Sequence, residues 1–266
     1  MAVAVLAVIG CGPSAETAKK ETAVPATKEE LFQAGHRLYV QRQYDSAAVL
    51  LSRALSLDST FSDAIADLAS LYYERASAED AVTKKAEYFR RARDYYVKLE
   101  AFGSTNADTY ERLCEIADAL NDHRTFLVYA QKNARLYPYD RQYYNLCVAY
   151  FAVADYQSVI KVCKEAIDKF PSSPFIGTFY RQLGRSYMKV DRDQTAERTF
   201  YAGLSVIEKR MNEIRKHSAN YDASPEYQRM KDDAIGILTS LKYLHTTYKA
   251  SEKLAEVEKK LKELGR

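Results

Sequence analysis

The four histidines, His36, His123, His217 and His245, and the four cysteines, Cys11, Cys114, Cys147 and Cys163, are the side chains best suited to acid–base, nucleophilic or metal chemistry. A working nucleophile needs a base within hydrogen-bond reach and a third group that orients the base. No histidine here has a Ser or Cys beside it in such a setting, and the four fall on different segments. Structural zinc asks for Cys-x-x-Cys or His-x-x-x-His spacing, which is missing. Missing too are a phosphate-cradling P-loop, a G-x-G-x-x-G turn and an H-E-x-x-H helix. Asp232 and Asp233 are adjacent carboxylates, but successive side chains on a helix diverge by about 100°. The reading is therefore no catalytic residue, no metal, no cofactor and no small-molecule substrate.

Charge narrows the partner class. The 266 residues carry 39 basic and 36 acidic side chains, a net charge of +3. The basic residues do not gather into a stripe, so electrostatic binding of nucleic acid is not expected. Apolar residues make up 47% of the chain, with only nine Gly, six Pro and no Trp. That composition suits helices rather than a turn-rich sheet.

The elements that must position any functional side chain are read from Lys28 to Phe61. Leu31, Ala34, Gly35 and Leu38 stand at helical spacing, and so do Ala47, Leu50, Leu51 and Ala54, on either side of an Arg42-Gln43-Tyr44 corner. The pattern recurs. Ile65, Leu68, Ala69 and Tyr72 repeat its first half, and about ten extra residues around Arg75 to Lys85, rich in helix formers, lengthen the helices of that unit. Tyr110, Leu113, Cys114 and Ala117 open a third unit, and Leu146, Cys147 and Tyr150 a fourth that continues through Val159, Cys163 and Ala166. Tyr180, Leu183, Gly184 and Tyr187, followed by Ala196, Phe200 and Gly203, make a fifth. A helix-interior Gly costs about 1 kcal/mol relative to Ala. The recurrence of Gly35 and Gly184 therefore points to close approach of two helices within a hairpin, with Ala47, Ala54, Ala196 and Gly203 as further packing positions.

This helix-turn-helix pattern resembles the tetratricopeptide repeat family, whose period is about 34 residues. The resemblance implies an all-α, right-handed superhelical solenoid. Its units run over about 28–61, 62–106, 107–139, 140–173 and 177–206, and 207–266 forms an overrunning helix, a connector and a degenerate capping hairpin. Glu256 with Lys260, and Glu258 with Lys262, are set at i,i+4 on the last, charged helix. Many of the 22 tyrosines must enter the stack, Tyr44, Tyr72, Tyr150, Tyr156 and Tyr187 among them. Cys114, Cys147 and Cys163 read as small core residues; Cys147 and Cys163 can face each other across one hairpin, and spacing alone leaves open whether they are bonded.

In the family, ligand segments lie in the concave groove lined by the first helix of each unit. Carried onto this chain, that groove presents Phe32, Gln33, His36, Asp63, Asp67, Tyr73, Asp108, Glu111, Arg112 and Glu115 in units one to three. Units four and five add Arg141, Tyr144, Asn145, Phe151, Arg181, Gln182 and Lys189. The first half is acidic and the second basic with aromatics. The bland alternative is that these are solvated helix faces. Family members that bind chaperones clamp a terminal carboxylate with Lys, Asn and Arg; here Phe32, His36 and Asp67 hold the corresponding places, a departure that counts against that role. The expected ligand is a protein or an extended peptide segment, with Arg141 and Arg181 meeting acidic groups and Tyr144 and Phe151 giving apolar anchors.

At the front, MAVAVLAVIG precedes Cys11, and Val8-Ile9-Gly10-Cys11 resembles a bacterial lipobox. That resemblance makes 1–10 a signal-peptide-like segment, Cys11 the lipid-modified residue and 11–27 a flexible tether. No Lys or Arg precedes Lys19, a departure from the charged start of a secretory signal. The segment is also far shorter than the roughly 20 apolar residues that span a bilayer. The whole looks like the repeat-containing lipoproteins that serve outer-membrane β-barrel or pilus-secretin assembly. The expectation is a non-enzymatic scaffold of the bacterial cell envelope, anchored through Cys11, with the array in the periplasm or on the outer side of the membrane. A soluble cytoplasmic adaptor and an enzyme with an unrecognised site are the alternatives.

Overall fold

The computed structural model describes residues 27–265; Cys11, the apolar segment 1–10 and nearly all of the tether lie outside them. The chain is all-helical, and no strand occurs among the described residues. Consecutive helices pack in pairs: α1 (Lys28–Val40) with α2 (Tyr44–Leu57), α3 (Ser62–Ala78) with α4 (Val82–Ala101), and α5 (Ala107–Ala119) with α6 (His123–Leu136). Then follow α7 (Asp140–Ala152) with α8 (Tyr156–Lys169), α9 (Ile176–Lys189) with α10 (Asp193–His217), and α11 (Pro225–Thr247) with α12 (Ser251–Glu263). Each pair also packs on the next, through α2–α3, α4–α5, α6–α7, α8–α9 and α10–α11. The result is a helical repeat solenoid, as its pattern predicts.

Local chemistry starts and stops the helices. Thr27 and Glu30 form a reciprocal capping box at the start of α1, with Glu30 N–H donating to Thr27 Oγ1 at 3.2 Å and Thr27 N–H to Glu30 Oε2 at 2.9 Å. Asp122 and Asp155, at the predicted corners, cap α6 and α8 by accepting from Thr125 N–H and Ser158 N–H, each at 3.1 Å. Ser224 caps α11 ahead of Pro225. The hairpin corners share one device. Arg42, Asn121, Ala154 and Asp191 stand at the same place in units one, three, four and five, each with φ between 55° and 60°, in the left-handed region. The second hairpin instead lengthens, to 17 residues in α3 and 20 in α4.

The recurring small residues mark the tightest contacts. A Cβ built on Gly35 would stand 2.8 Å from Cγ of Leu51, and one on Gly184 would stand 2.7 Å from Cζ of Phe200 and closer still to two other ring carbons. Cys147 holds the same place in its unit as these glycines, and Cys163 the same place as Leu51 and Phe200. The structure therefore resolves the open cysteine question: the two sulfurs are bonded, across Cα atoms 6.3 Å apart, and both residues are fully buried. Cys114 remains a free thiol in the core, and burial pushes it up to about 12.

Two expectations need correction. Tyr72 and Tyr187 are buried, but Tyr44, Tyr150 and Tyr156 are only half-buried, because their rings pack while their hydroxyls reach polar surroundings. Tyr44 donates to Glu74 Oε2 at 2.9 Å, and Tyr150 accepts from Gln131 Nε2 at 3.0 Å. On α12 the basic side chains do not pair along their own helix. Lys260 meets Glu208 of α10 at 2.8 Å, Lys253 meets Glu197 of α10 at 2.6 Å, and Glu258 meets Lys242 of α11 at 2.9 Å. With Val257 and Leu261 buried, α12 is docked on its neighbours, so its charges reach across rather than along.

Candidate functional site

The first helices of successive units, α1, α3, α5, α7, α9 and α11, bring the predicted groove residues together, but mostly onto one another. His36 Nδ1 lies 2.7 Å from Asp67 Oδ2, joining units one and two. Tyr39 donates to Glu74 Oε1 at 2.6 Å beside the Tyr44 bond to the same carboxylate. Tyr73 donates to Glu115 Oε2 at 2.6 Å, joining units two and three, while Arg112 donates to the same oxygen and lies 4.4 Å over the Tyr73 ring. Arg141 donates to Glu111 Oε1 at 2.7 Å, joining units three and four. Units four and five meet through aromatic groups, with Tyr144 stacked on Phe175 at 4.7 Å. Arg181 Nε reaches Asp233 Oδ1 at 3.2 Å and joins α9 to α11.

These rungs change the electrostatic reading. Asp67, Glu111 and Glu115 of the acidic half are matched internally, and burial raises the pKa of Asp67 and of Glu111 in spite of His36 and Arg141 beside them. Tyr73 is pushed up by burial and then by the Glu115 carboxylate. Gln33, Asp63, Asp108 and Lys189 stay exposed without a role in any rung, and Phe32 packs edge-on against Phe61 at 5.1 Å. Asn145 and Gln182 are buried between helices, at 8% and 6% exposure, instead of facing a ligand.

The second half holds more cation than it uses. Asp233, 2% exposed on its side chain, accepts from Thr178 Oγ1 at 2.8 Å on one oxygen, and Arg181 Nε stands 3.2 Å from the other as an ion pair without a hydrogen bond. Arg181 lies across α11 at Gly236, where a Cβ would stand 2.7 Å from its Cδ. Arg229, one turn before Asp233, covers Phe175 with its guanidinium carbon 4.8 Å from the ring centre, and Arg141 approaches the same ring at 5.5 Å. Arg185, one turn after Arg181, lies 4.5 Å over Phe151. Its pKa is pushed down by burial and then by the Arg181 charge. Arg181 and Arg229 thus act on the carboxylate of Asp233, while Arg185 lies over Phe151 with no carboxylate partner among the described residues. Sequence reading missed Phe175, Arg185, Arg229 and Gly236. The i,i+4 pairs Arg181–Arg185 and Arg229–Asp233 were visible signals, whereas Phe175 sits in a loop outside any helical periodicity.

His245 lies apart from this face. It is 3% exposed, with Nε2 3.1 Å from Tyr201 Oη and 4.0 Å from Glu197 Oε1. Burial lowers its pKa, Lys253 acting with it and Glu197 and Glu256 against. The folded state therefore keeps His245 neutral where the unfolded chain begins to protonate, so its contribution is whole above about pH 6.5 and is lost as pH falls below that value. The urea midpoint of the protein is expected to drop between about pH 7 and about pH 5, and less so in His245→Gln; equal slopes for the two proteins would refute the assignment.

Among the described residues no three His, Cys, Asp or Glu side chains group as metal ligands, and no helix is long and apolar enough to cross a membrane. The sequence matches no family model and no curated protein. Solved structures do match. YrrB, described as a tetratricopeptide repeat protein with an unusual peptide-binding site, is 15% identical over 66% of this chain and 84% of its own, with a TM-score of 0.54. Two structures of MamA are each 17% identical: one covers 70% of this chain and 94% of its own at a TM-score of 0.56, the other 67% and 96% at 0.53. At such identities the likeness establishes a fold, and that fold is the tetratricopeptide-type helical solenoid.

Proposed function

We propose that this chain is a non-enzymatic protein–protein interaction scaffold that holds an acidic segment of a partner on the face formed by α7, α9 and α11. The observation that carries the reading is the set of cations laid over aromatic rings there: Arg185 over Phe151 and Arg229 over Phe175, beside Arg181 at Asp233 and the Tyr144–Phe175 stack. Arginine and aromatic side chains are the groups that most often anchor interfaces. The fold supports it, since the solenoid presents a row of first helices and YrrB is described with a peptide-binding site. Arg141 and Arg181, the cations first singled out, are committed to Glu111 and Asp233, so Arg185 and Arg229 become the ones that meet the partner's carboxylates. In-cell crosslinking would name the partner. Arg185→Glu with Arg229→Glu is then expected to weaken its binding by roughly tenfold or more, and undiminished binding would sink the reading.

The same proposal places the chain in the cell envelope, lipid-anchored through Cys11. Two features support it: the Val8–Cys11 motif and the buried Cys147–Cys163 bond, since disulfides persist mainly in oxidising compartments. Fatty-acid labelling is expected to be lost in Cys11→Ala. In denatured, unreduced protein taken from cells, Cys114 is then the thiol expected to react. Unlabelled protein with Cys147 and Cys163 reduced would favour the cytoplasmic adaptor.

A further inference from the structure

The junction between the third and fourth hairpins buries amide side chains from both of its helices. On the second helices of units one, four and five, the same place is held by Ala54, Ala166 and Gly203; in unit three it is held by Asn133, fully buried. On the first helices of units two, three and five, one place is held by Ala64, Thr109 and Phe179, Thr109 bonding to Asn106; in unit four it is held by Gln142, 4% exposed. Asn133 lies on α6 and Gln142 on α7, the two helices that join the units. Asn133 Nδ2 reaches the Ala107 carbonyl at 3.4 Å, but its Oδ1, Gln142 Oε1 and Asn145 Nδ2 have no hydrogen-bond partner among the described residues.

The apolar core divides at the same place. One cluster runs from Leu31 to Ala130 and takes only Ala149 from α7; the other runs from Tyr143 to Leu261; Leu146 touches both. Contacts across the concave and outer edges are polar: Arg141 with Glu111 at 2.7 Å, and Gln131 with Tyr150 at 3.0 Å. The connector, Tyr137 to Tyr139, holds Pro138.

Opening an apolar junction costs free energy in proportion to the surface it wets. A buried amide atom without a partner works the other way, because water supplies the missing hydrogen bond once the junction opens. The two effects oppose each other between α6 and α7, where unpartnered amides coincide with the divide in the apolar core; Gln182 Oε1 and Ser186 Oγ of α9, also unpartnered, lie instead among the residues of one continuous cluster. We infer that the α6–α7 junction is a hinge that divides the array into two bodies, α1–α6 and α7–α12, which open and unfold separately and whose mutual angle sets the shape of the concave face. Repeat arrays are stable as a sum of units and interfaces, so one weak interface suffices to uncouple two blocks.

The chain has no tryptophan, so Tyr88→Trp on α4 and Tyr221→Trp before α11 each report on one body of the full-length protein. In urea, the two fluorescence transitions are expected to differ in midpoint by roughly 0.5 M or more. Asn133→Ala with Gln142→Leu, which restores apolar side chains at these places, is expected to draw the midpoints together. Asn133→Ala alone, the residue that units one and four carry there, serves if the double variant fails to fold. Coincident transitions in the unrepaired protein would overturn the inference. So would a separation that survives the repair unchanged, because the weakness would then not reside in the amides.

Discussion

Gly184→Leu is expected to lower the melting temperature by about 10 °C, the largest effect of any single change proposed for this protein. The warrant is geometric. Phe200 is fully buried, and a Cβ at residue 184 would already stand 2.7 Å or less from three of its ring carbons. A rigid ring cannot move aside as a flexible side chain can, so α9 must separate from α10 or Phe200 must leave its rotamer. Overpacking of this kind costs about 3 kcal/mol or somewhat more. At about 2–4 °C for each kcal/mol in a protein of this size, that gives the stated shift. Gly35→Leu is the internal comparison. Its neighbour is the flexible Leu51, at 2.8 Å, so about 2 kcal/mol is expected there. In the Gly184→Ala background, replacing Phe200 by Leu brings in the flexible side chain that unit one carries opposite Gly35 and should recover part of the Gly184→Ala loss. Calorimetry checks all three, and an unchanged melting curve for Gly184→Leu would void the register in which residues 184 and 200 meet.

Asp233→Ala is the second large effect, about 3 kcal/mol, and it should be felt first in α11 and α12. Removing this carboxylate strips Thr178 of its acceptor and Arg181 of its counter-charge. Breaking a buried pair from one side costs about 3–5 kcal/mol; the lower figure applies because the Arg181 side chain keeps 28% exposure. Asp233→Asn should be milder. Burial raises the Asp233 pKa, with Arg181, Thr178 and Arg229 opposing the shift, so the fold disfavours its ionised form relative to the unfolded chain. That penalty is absent below the unfolded value of about 3.9 and sets in as pH rises through the folded value. A neutral amide avoids it and can still accept from Thr178. Urea unfolding followed by hydrogen exchange in α11 checks the order; equal losses for the Ala and Asn variants would mean that the charge, and not burial, dominates the site.

The scaffold was legible because packing leaves a periodic mark. Gly35, Ala47, Gly184 and Ala196 recur at helical spacing, and a small residue at a repeated place has one physical cause, close approach. The disulfide was legible in principle by the same alignment: Cys147 and Cys163 hold the places of Gly184 and Phe200, which touch. The concave face was legible only as a set of candidates. Whether Asp67 meets a ligand or meets His36 depends on the offset between neighbouring units, which one unit's periodicity does not contain. The charges on α12 failed for the same reason. An i,i+4 rule sees a helix alone, whereas Lys260 is in reach of Glu208 only once α12 docks on α10. Phe175, in a loop, and Arg229, on a helix outside the clear repeats, escaped because the template does not extend to them.

The rungs along the first helices have a geometrical consequence. Each one spans two neighbouring units, so the length of its side chains helps to set the angle at which one unit sits on the next. Angles between successive units compound along a solenoid. Shortening Glu111 by one methylene, as in Glu111→Asp, lengthens the reach that Arg141 of α7 must make and so bears on the angle between units three and four. The contacts between neighbouring first helices, ionic at Arg141–Glu111 and aromatic at Tyr144–Phe175, are thus places where a change of one side chain acts on the relation between units and not on the core of either.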